Sequence, residues 1–262
     1  MNVLEEIAAY ARLRVERDKQ QLSPESLREK AEALPGGGER FYGAVAGKGL
    51  SFICEIKKAS PSKGIIDPVF DYRSIAREYD RAGADCISCL TEPRWFLGSD
   101  AIFREVRALA KAPMLRKDFV VDEYQLYQAK ALGADCALLI CALLSPRELA
   151  RLTDLCRSLS LAVLAEAHDA DEIKAAADAG ARMRGVNNRN LKDFSVDLSN
   201  AARLRERIPE GCLFVSESGV RGPEDVRALK GAGADAVLVG EAFMRAPDKG
   251  AFLAGLRQAA EQ

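Results

Sequence analysis

The sequence predicts a closed (β/α)₈ barrel in the α/β class, a TIM barrel with an N-terminal helical extension. Three observations lead to this fold: eight short apolar runs, amphipathic stretches between them, and a turn motif that occurs four times. Strands that alternate with helices form a parallel sheet with helices outside, and eight such units close the sheet into a barrel. The length of 262 residues is typical of one such barrel.

The repeated turn motif consists of an apolar residue, a glycine, an alanine and, in three of its four copies, an aspartate. The copies begin at Ala82, Leu132, Ala179 and Ala232. Each copy follows an amphipathic stretch rich in Ala, Leu, Arg and Glu, and each leads into an apolar run. Glycine readily adopts the left-handed conformation that ends a helix. Each copy therefore marks the end of a helix and the start of a buried strand.

The apolar runs place the strands at residues 51–56, 86–91, 113–116, 136–141, 162–166, 184–186, 213–216 and 236–239. The helical patterns lie near residues 75–81, 101–110, 123–132, 146–159, 170–179, 198–207, 223–231 and 249–260. We predict one domain over residues 1–262. An open, doubly wound sheet is the alternative, and the lack of a GxGxxG turn after the first strand disfavours it.

The first 46 residues precede the first strand and contain a helical pattern. We expect residues 1–46 to form an N-terminal extension that caps one end of the barrel. The glycine-rich stretch at residues 34–38 predicts a loop within this extension.

The charge balance excludes several classes of partner. The chain has 38 basic and 39 acidic side chains, a formal net charge of −1. Nucleic acids and anionic membranes select for a basic excess, so neither is an expected partner. The longest apolar stretches are too short to cross a bilayer, and the charged N-terminus does not resemble a signal peptide. We expect a cytoplasmic protein.

Cysteine and histidine usage argues against redox and metal sites. The seven cysteines are an odd number and do not suggest a disulfide framework. Cys86 and Cys89 form a CxxC inside a predicted strand, where residues three apart point to opposite faces. We therefore expect buried, reduced thiols. His168 is the only histidine and precedes Asp169, a candidate helix cap, so a structural or rim position is expected for it.

Polar side chains at strand ends are informative, because a strand buried on both faces should be apolar. Each one alone is typical of a solvated loop residue or a helix cap. In a barrel, however, the carboxyl ends of all strands converge on one mouth, where two lysines and three glutamates would shift one another's pKa values. The set comprises Glu55, Lys57, Lys117, Glu166, Asn187, Arg189 and Glu217. The sequence predicts an active site centred on Lys57, Lys117 and Glu166.

Two loops are candidates for binding phosphate. Barrels often bind this anion with backbone N–H groups after strands seven and eight. Ser218–Gly219 and Gly240–Glu241 occupy those places, and glycine lets the backbone approach an anion closely.

The loop after the second strand contributes Trp95 and Phe96. Aromatic rings there suit either stacking on a flat substrate or packing over the top of the barrel. The sequence leaves both alternatives open.

Together these motifs resemble the indole-3-glycerol phosphate synthase family. The most specific stretch is Cys-Glu-Ile-Lys-Lys-Ala-Ser-Pro-Ser-Lys-Gly at residues 54–64, and residues 115–119, 185–189 and 215–219 match later signatures in order and spacing. The resemblance covers all eight units and the extension. It departs at Ala167, where a valine is common, and in a variable loop at residues 94–97.

The resemblance implies that 1-(2-carboxyphenylamino)-1-deoxyribulose 5-phosphate is converted to indole-3-glycerol phosphate, carbon dioxide and water in tryptophan biosynthesis. It implies that Lys117 is the general acid, with a pKa lowered by Lys57 and by burial. Lys57 would neutralise the substrate carboxylate or phosphate. Glu166 and Glu55 would stabilise the cationic intermediate and remove the final ring proton, in an order left open. We expect the pKa of Glu166 to be the more easily raised, because its strand neighbours are apolar, and Glu55 to stay ionised beside Lys57.

The resemblance also implies the binding residues. Asn187, Arg189, Glu217 and Ser60 would bind the substrate, and Lys57, Ser218, Gly219, Gly240 and Glu241 would bind its phosphate. No metal or organic cofactor is implied, and a monomer is expected.

Three rivals remain at this point. Phosphoribosylanthranilate isomerase uses a cysteine at the end of strand one, but Cys54 has the opposite strand parity to Glu55 and should face the helices. A Schiff-base aldolase could use Lys57 or Lys117. A non-catalytic barrel that binds a sugar phosphate would not need two lysines and three glutamates at its mouth.

Overall fold

Eight parallel strands form a closed barrel in the computed structural model, which describes residues 2–47, 49–190 and 194–262. Each strand pairs with its neighbours in sequence, and the last strand pairs with the first. The strands are β1 (Ser51–Ile56), β2 (Cys86–Leu90), β3 (Met114–Lys117), β4 (Cys136–Ile140), β5 (Ala162–Ala167), β6 (Met183–Asn187), β7 (Leu213–Glu217) and β8 (Ala236–Val239). The predicted fold is confirmed.

The helices surround this barrel. They are α1 (Val3–Gln21), α2 (Pro24–Glu32), α3 (Gly38–Val45), α4 (Tyr72–Arg81), α5 (Asp100–Leu109), α6 (Tyr124–Ala131), α7 (Pro146–Ser158), α8 (Ala170–Asp178), α9 (Ser199–Arg205), α10 (Pro223–Gly231), α11 (Glu241–Arg245) and α12 (Lys249–Glu261). A small antiparallel hairpin pairs Ala59–Ser60 with Gly64–Ile65. The hairpin and α11 were not predicted, because elements this short show no periodicity. Along the described ranges no helix has the length and apolar character needed to span a membrane.

The repeated turn motif forms the lower end of the barrel. The glycines of its four copies have φ between +73° and +83°, which confirms the left-handed helix ends. The three aspartates each accept a main-chain N–H at the start of a strand, from Phe52, Met114 and Phe214, at 2.7–2.8 Å. The motif therefore ends one helix and anchors a neighbouring strand.

Strand parity separates an inner core from an outer one. Ile53 and Cys86 belong to the cluster inside the barrel, whereas Cys54 and Cys89 belong to the layer between the strands and the helices. All seven cysteines are free thiols. The predicted orientations of the CxxC pair and of Cys54 are confirmed.

The N-terminal extension caps the lower end of the barrel, as expected, and it also contacts the upper end. α3 seals the lower end: Phe41 and Val45 join the inner core, and the Tyr42 hydroxyl accepts the Val163 N–H at 3.0 Å. α1 lies at the upper end, where Arg14 pairs with Asp118 at 2.6 Å. α2 packs on α6 between them. The three helices thus reach from one end of the barrel to the other, and the predicted loop occupies residues 34–37.

Candidate active site

The carboxyl ends of the strands open into a cavity of about 1200 Å³. Every residue that the sequence assigned to catalysis, substrate or phosphate lines this cavity. These residues are Glu55, Lys57, Ser60, Lys117, Glu166, Asn187, Arg189, Glu217, Ser218, Gly219, Gly240 and Glu241. The fold therefore brings together side chains from strands that are far apart in the sequence.

Lys117 lies at the centre of the cavity, at the end of β3. Its Nζ donates to Glu217 Oε2 at 2.5 Å and to Glu166 Oε2 at 3.1 Å. Asn187 Nδ2 donates to the other Glu166 oxygen at 3.0 Å. The Lys117 side chain is 14 % exposed and the two carboxylates are 5 % exposed or less. The result is one ammonium between two buried carboxylates.

The pKa of Lys117 differs from the expectation. Burial acts to lower this pKa, but attraction to Glu217, Glu166 and Glu55 outweighs burial and raises the pKa above its ordinary value. The expected lowering is wrong, because these three carboxylates outweigh burial, and Lys57 is itself paired with Glu55, with Nζ 2.5 Å from Oε1.

The two carboxyls around Lys117 shift in opposite directions. Burial raises the pKa of Glu217 to about 7, against the attraction of Lys117. Burial also acts to raise the pKa of Glu166, but Lys117, His168 and the Asn187 hydrogen bond lower it below its ordinary value. The expectation that Glu166 would be raised is wrong, since apolar neighbours along a strand do not exclude cations from other elements. Of the two carboxyl groups, Glu217 is the one whose pKa lies near neutral pH.

Two glycines make room for the carboxylates. A Cβ at Gly185 would lie 2.0 Å from Glu217 Oε1, and a Cβ at Gly240 would lie 2.2 Å from Glu55 Oε1. Gly240 was selected from the sequence only for phosphate, and Gly185 was not selected. A glycine inside a strand often marks a close approach of another group, and this signal identifies Gly185.

The backbone turns sharply at both candidate phosphate loops. Ser218 and Gly219 have φ of +64° and +96° after β7. Glu241 begins α11 after β8, and its carboxylate pairs with Lys63 at 3.6 Å and Arg245 at 3.1 Å. The Glu241 side chain is thus turned to basic partners, which leaves its main chain as the group suited to an anion.

Asn188 connects the ends of two strands, and sequence reasoning missed it. Its buried Nδ2 donates to Ser216 Oγ at 2.9 Å and to the carbonyls of Glu217 and Ser218 at 3.1 Å each. Asn188 thereby ties the β6 loop to the end of β7 that carries Glu217. A second asparagine after Asn187 in the sequence was the available signal.

The loop after β2 is shaped by a buried carboxylate. Glu92 is 1 % exposed and accepts the main-chain N–H groups of Arg94, Trp95 and Phe96 at 2.7–2.9 Å. Phe96 lines the cavity, and its ring lies 5.7 Å from that of Phe119. Trp95 instead packs edge-on against Tyr10 of α1. Of the two alternatives left open, Trp95 packs over the barrel and Phe96 faces the site.

His168 and Asp169 follow β5. Asp169 accepts the Glu172 N–H at 2.9 Å, which confirms it as the cap of α8. The imidazole of His168 lies between Glu172 and Glu166, with Nδ1 3.1 Å from Glu172 Oε2 and Nε2 3.7 Å from Glu166 Oε1. The histidine is therefore a direct neighbour of the central cluster.

Comparison with known proteins gives a consistent family. A family model described as indole-3-glycerol phosphate synthase matches residues 4–256. A curated indole-3-glycerol phosphate synthase of Ruminiclostridium cellulolyticum is 50% identical over 98% of this chain and 100% of its own length. Those of Endomicrobium trichonymphae and Streptomyces griseus are 44% and 45% identical, over 93% and 98% of this chain and 95% of each relative.

A solved structure supports the fold alone. Thiamine phosphate pyrophosphorylase from Pyrococcus furiosus superposes with a TM-score of 0.61 and 18% identity, over 81% of this chain and 95% of that chain. At this identity the likeness extends to the barrel and not to the chemistry.

Proposed function

Because the chain belongs to the indole-3-glycerol phosphate synthase family, we propose that its barrel mouth closes the indole ring of 1-(2-carboxyphenylamino)-1-deoxyribulose 5-phosphate. The enzyme is a carboxy-lyase of tryptophan biosynthesis. Its products are indole-3-glycerol phosphate, carbon dioxide and water. One observation carries the assignment of roles: the Lys117 ammonium lies between two buried carboxylates in the middle of the cavity.

Ring closure needs an acid. The aromatic carbon that bears the carboxylate attacks the ketone carbon, and the ketone oxygen takes up a proton as the new bond forms. Lys117 donates this proton. Its raised pKa keeps it fully protonated at neutral pH, and the developing alkoxide is a stronger base than an amine, so the transfer still runs forward.

Decarboxylation and dehydration use the second lysine. Lys57 neutralises the substrate carboxylate and assists departure of the hydroxyl. The Glu55 carboxylate at 2.5 Å holds the Lys57 ammonium at the wall of the cavity and stabilises cationic intermediates. Asn187, Arg189, Glu217 and Ser60 orient the substrate.

Glu166 removes the final ring proton. Its lowered pKa makes it a carboxylate at neutral pH, ready to accept a proton. In Glu166→Gln we expect release of ¹⁴C-labelled carbon dioxide to outpace indole formation. In Glu55→Gln we expect both to slow together, because closure itself becomes limiting. A far larger loss of indole formation in Glu55→Gln than in Glu166→Gln reverses the two roles.

The phosphate binds to main-chain N–H groups at Ser218–Gly219 and Gly240–Glu241, with Lys57 near by. The support is their place at the cavity, after β7 and β8. A Cβ at Gly219 would lie 2.7 Å from Leu198 and 2.8 Å from Val196, so replacing this glycine disturbs the loop itself. Competition is the cleaner test: inorganic phosphate and sulfate should raise KM without changing kcat. Lack of competition at high phosphate concentration moves the phosphate site elsewhere.

The remaining assignments concern the protein as a whole. We propose a cytoplasmic monomer in which residues 1–262 act as one domain, with residues 1–46 as its extension and no nucleic-acid partner. The reaction uses no metal or organic cofactor, because Lys117, Lys57 and the carboxylates supply each proton transfer. Light scattering should give a mass near 28.5 kDa, and dialysis against a chelator should leave kcat unchanged.

The decisive experiment is growth of indole fluorescence when the carboxyphenylamino-deoxyribulose phosphate is added. A Schiff-base aldolase would instead be trapped on Lys57 or Lys117 by borohydride in the presence of substrate. A non-catalytic binding protein would bind the compound without turnover. Either result would overturn the proposed function.

A further inference from the structure

The only histidine of the chain lies between the active site and a helix start. Its Nδ1 faces Glu172 Oε2 at 3.1 Å, and its main-chain N–H donates to the same oxygen at 2.7 Å. Glu172 is in turn fixed by the Asp169 cap of α8. Two contacts from one carboxylate oxygen therefore set the plane of the imidazole.

The other ring nitrogen faces the catalytic carboxylate. His168 Nε2 is buried, has no hydrogen-bond partner in the described part of the chain, and lies 3.7 Å from Glu166 Oε1. That same oxygen accepts the Asn187 amide, while Glu166 Oε2 accepts from Lys117. An unpartnered polar nitrogen aimed at a carboxylate is unusual in a buried site, and its direction points to an electrostatic role.

The charges around the ring favour the imidazolium. Glu172 of α8, Glu166 of β5 and Glu217 of β7 all attract a proton to His168, and they outweigh the effect of burial, so the pKa lies above its ordinary value. Lys117 of β3 faces the far side of Glu166. Glu166 is thus flanked by the Lys117 ammonium and by an imidazole whose protonation it favours.

We propose that His168 is a positioning residue: Glu172 orients its imidazole so that Nε2 presents a positive charge to Glu166 and keeps that side chain a carboxylate beside Lys117. The geometric coupling stands without any assumption about the reaction. Its effect on turnover rests on the function proposed above.

A single histidine allows a direct test by NMR. In protein freed of any tag, the imidazole signals belong to His168 alone and report its titration. Glu166→Gln and Glu172→Gln should each lower the apparent pKa of His168 by about half a unit or more, because each removes a facing charge. Asp171→Asn is the matched control: it removes one charge from the same helical turn at an exposed position and should leave the titration unchanged.

An unchanged His168 titration in Glu166→Gln overturns the proposal, whether or not the enzyme turns over. Failure of the wild type to form indole would sink the proposed function and leave this coupling intact. The two failures are therefore distinguishable.

A pair of substitutions at His168 separates positioning from packing. Glutamine places its amide nitrogen near the Nε2 position and can still contact Glu166, whereas asparagine places it near Nδ1 and cannot. We expect His168→Asn to lose about tenfold in kcat, less than the roughly 10²–10⁴-fold of direct acid–base assistance because His168 acts through Glu166. His168→Gln keeps a donor near Glu166 but not the charge, and it should lose less, with KM little changed in both. Equal kcat losses in the two variants, or none in either, contradict a role for Nε2.

Discussion

Lys117 and Asp118 are adjacent in sequence, and each is the centre of a buried charge cluster. The two clusters are opposite in sign, and their carboxylates differ in how fully they are hydrogen-bonded. Lys117 is a cation between two carboxylates at the cavity. Asp118, on the other face of the strand end, is an anion between Arg14 of α1 at 2.6 Å and Arg116 at 3.2 Å. The strand alternation thus directs one charge into the barrel and the next outwards.

Both oxygens of the Asp118 carboxylate are hydrogen-bonded, whereas one carboxylate oxygen of the Lys117 cluster is not. Asp118 Oδ1 also accepts its neighbour's N–H from Phe119 at 2.8 Å, and Oδ2 accepts the Thr91 hydroxyl at 2.6 Å. In contrast, Glu217 Oε1 has no hydrogen-bond partner among the residues described. A carboxylate whose two oxygens are both hydrogen-bonded stabilises the fold, whereas an oxygen without a partner can still accept a proton.

The largest effect is expected at the Lys117 cluster. Lys117→Met removes the general acid and should lower kcat by roughly 10²–10⁴-fold. The affinity for substrate should stay within about an order of magnitude, because the other contacts to the ground-state substrate are kept. Steady-state kinetics and isothermal titration measure both quantities, and Lys174→Met on the surface is the control. A Lys117→Met enzyme that retains more than about a tenth of wild-type kcat would show that Lys117 is not the acid.

Substitutions in the Asp118 cluster should change the stability of the fold. Asp118→Asn leaves the buried Arg14 without its carboxylate and leaves Arg116 with Asp100 alone. It should lower the free energy of unfolding by about 3–5 kcal/mol, measured by urea denaturation. Its kcat per folded molecule should fall far less than that of Lys117→Met. Asp122→Asn is the matched control, because Asp122 also pairs with α1, through Lys19, but is 32% exposed and should cost less than about 1 kcal/mol. Loss of turnover with unchanged stability in Asp118→Asn would show that Asp118 serves the reaction and not the stability of the fold.

Glu217 should make stability depend on pH. Its folded-state pKa of about 7 lies above the ordinary 4.5, so its contribution is fully present below pH 4.5 and is lost as pH rises towards 7. Glu217→Gln cannot titrate, so the wild type should lose on the order of 1–3 kcal/mol relative to this variant across that window. Urea titrations at several pH values measure the difference. A constant difference would mean that Glu217 stays ionised throughout.

The smallest effect is expected from the Thr91 hydroxyl, which belongs to the Asp118 cluster. Thr91→Val keeps the shape of the side chain and removes the hydrogen bond to Asp118. Stability should fall by about 1–2 kcal/mol, measured by thermal or urea unfolding, with kcat unchanged. A change in kcat as large as the change in the unfolding constant would show that the two clusters are coupled.

Much of this comparison could be predicted from the sequence, because strand parity and strand order are local properties. The period of two placed Glu55 and Lys57 inside the barrel and Cys54 outside. The direction of the Lys117 pKa could not be predicted, since it depends on Glu217, which is 100 residues away in the chain. The docking of Arg14 on Asp118 was equally out of reach, because helical periodicity shows which face is apolar and not where that face packs.

The contacts of the N-terminal extension impose an order on folding in the cell. Arg14 is separated from Asp118 by 104 residues, and Tyr42 from Val163 by 121. At a synthesis rate of roughly 5–20 residues per second, α1 and α3 wait for about 5–25 s before their partners have been made. During that interval the apolar sides of these helices, including Ile7 and Phe41, face the ribosome surface and chaperones instead of the barrel. Residues translated early therefore reach these contacts only after three complete strands have been made for Arg14 and four for Tyr42.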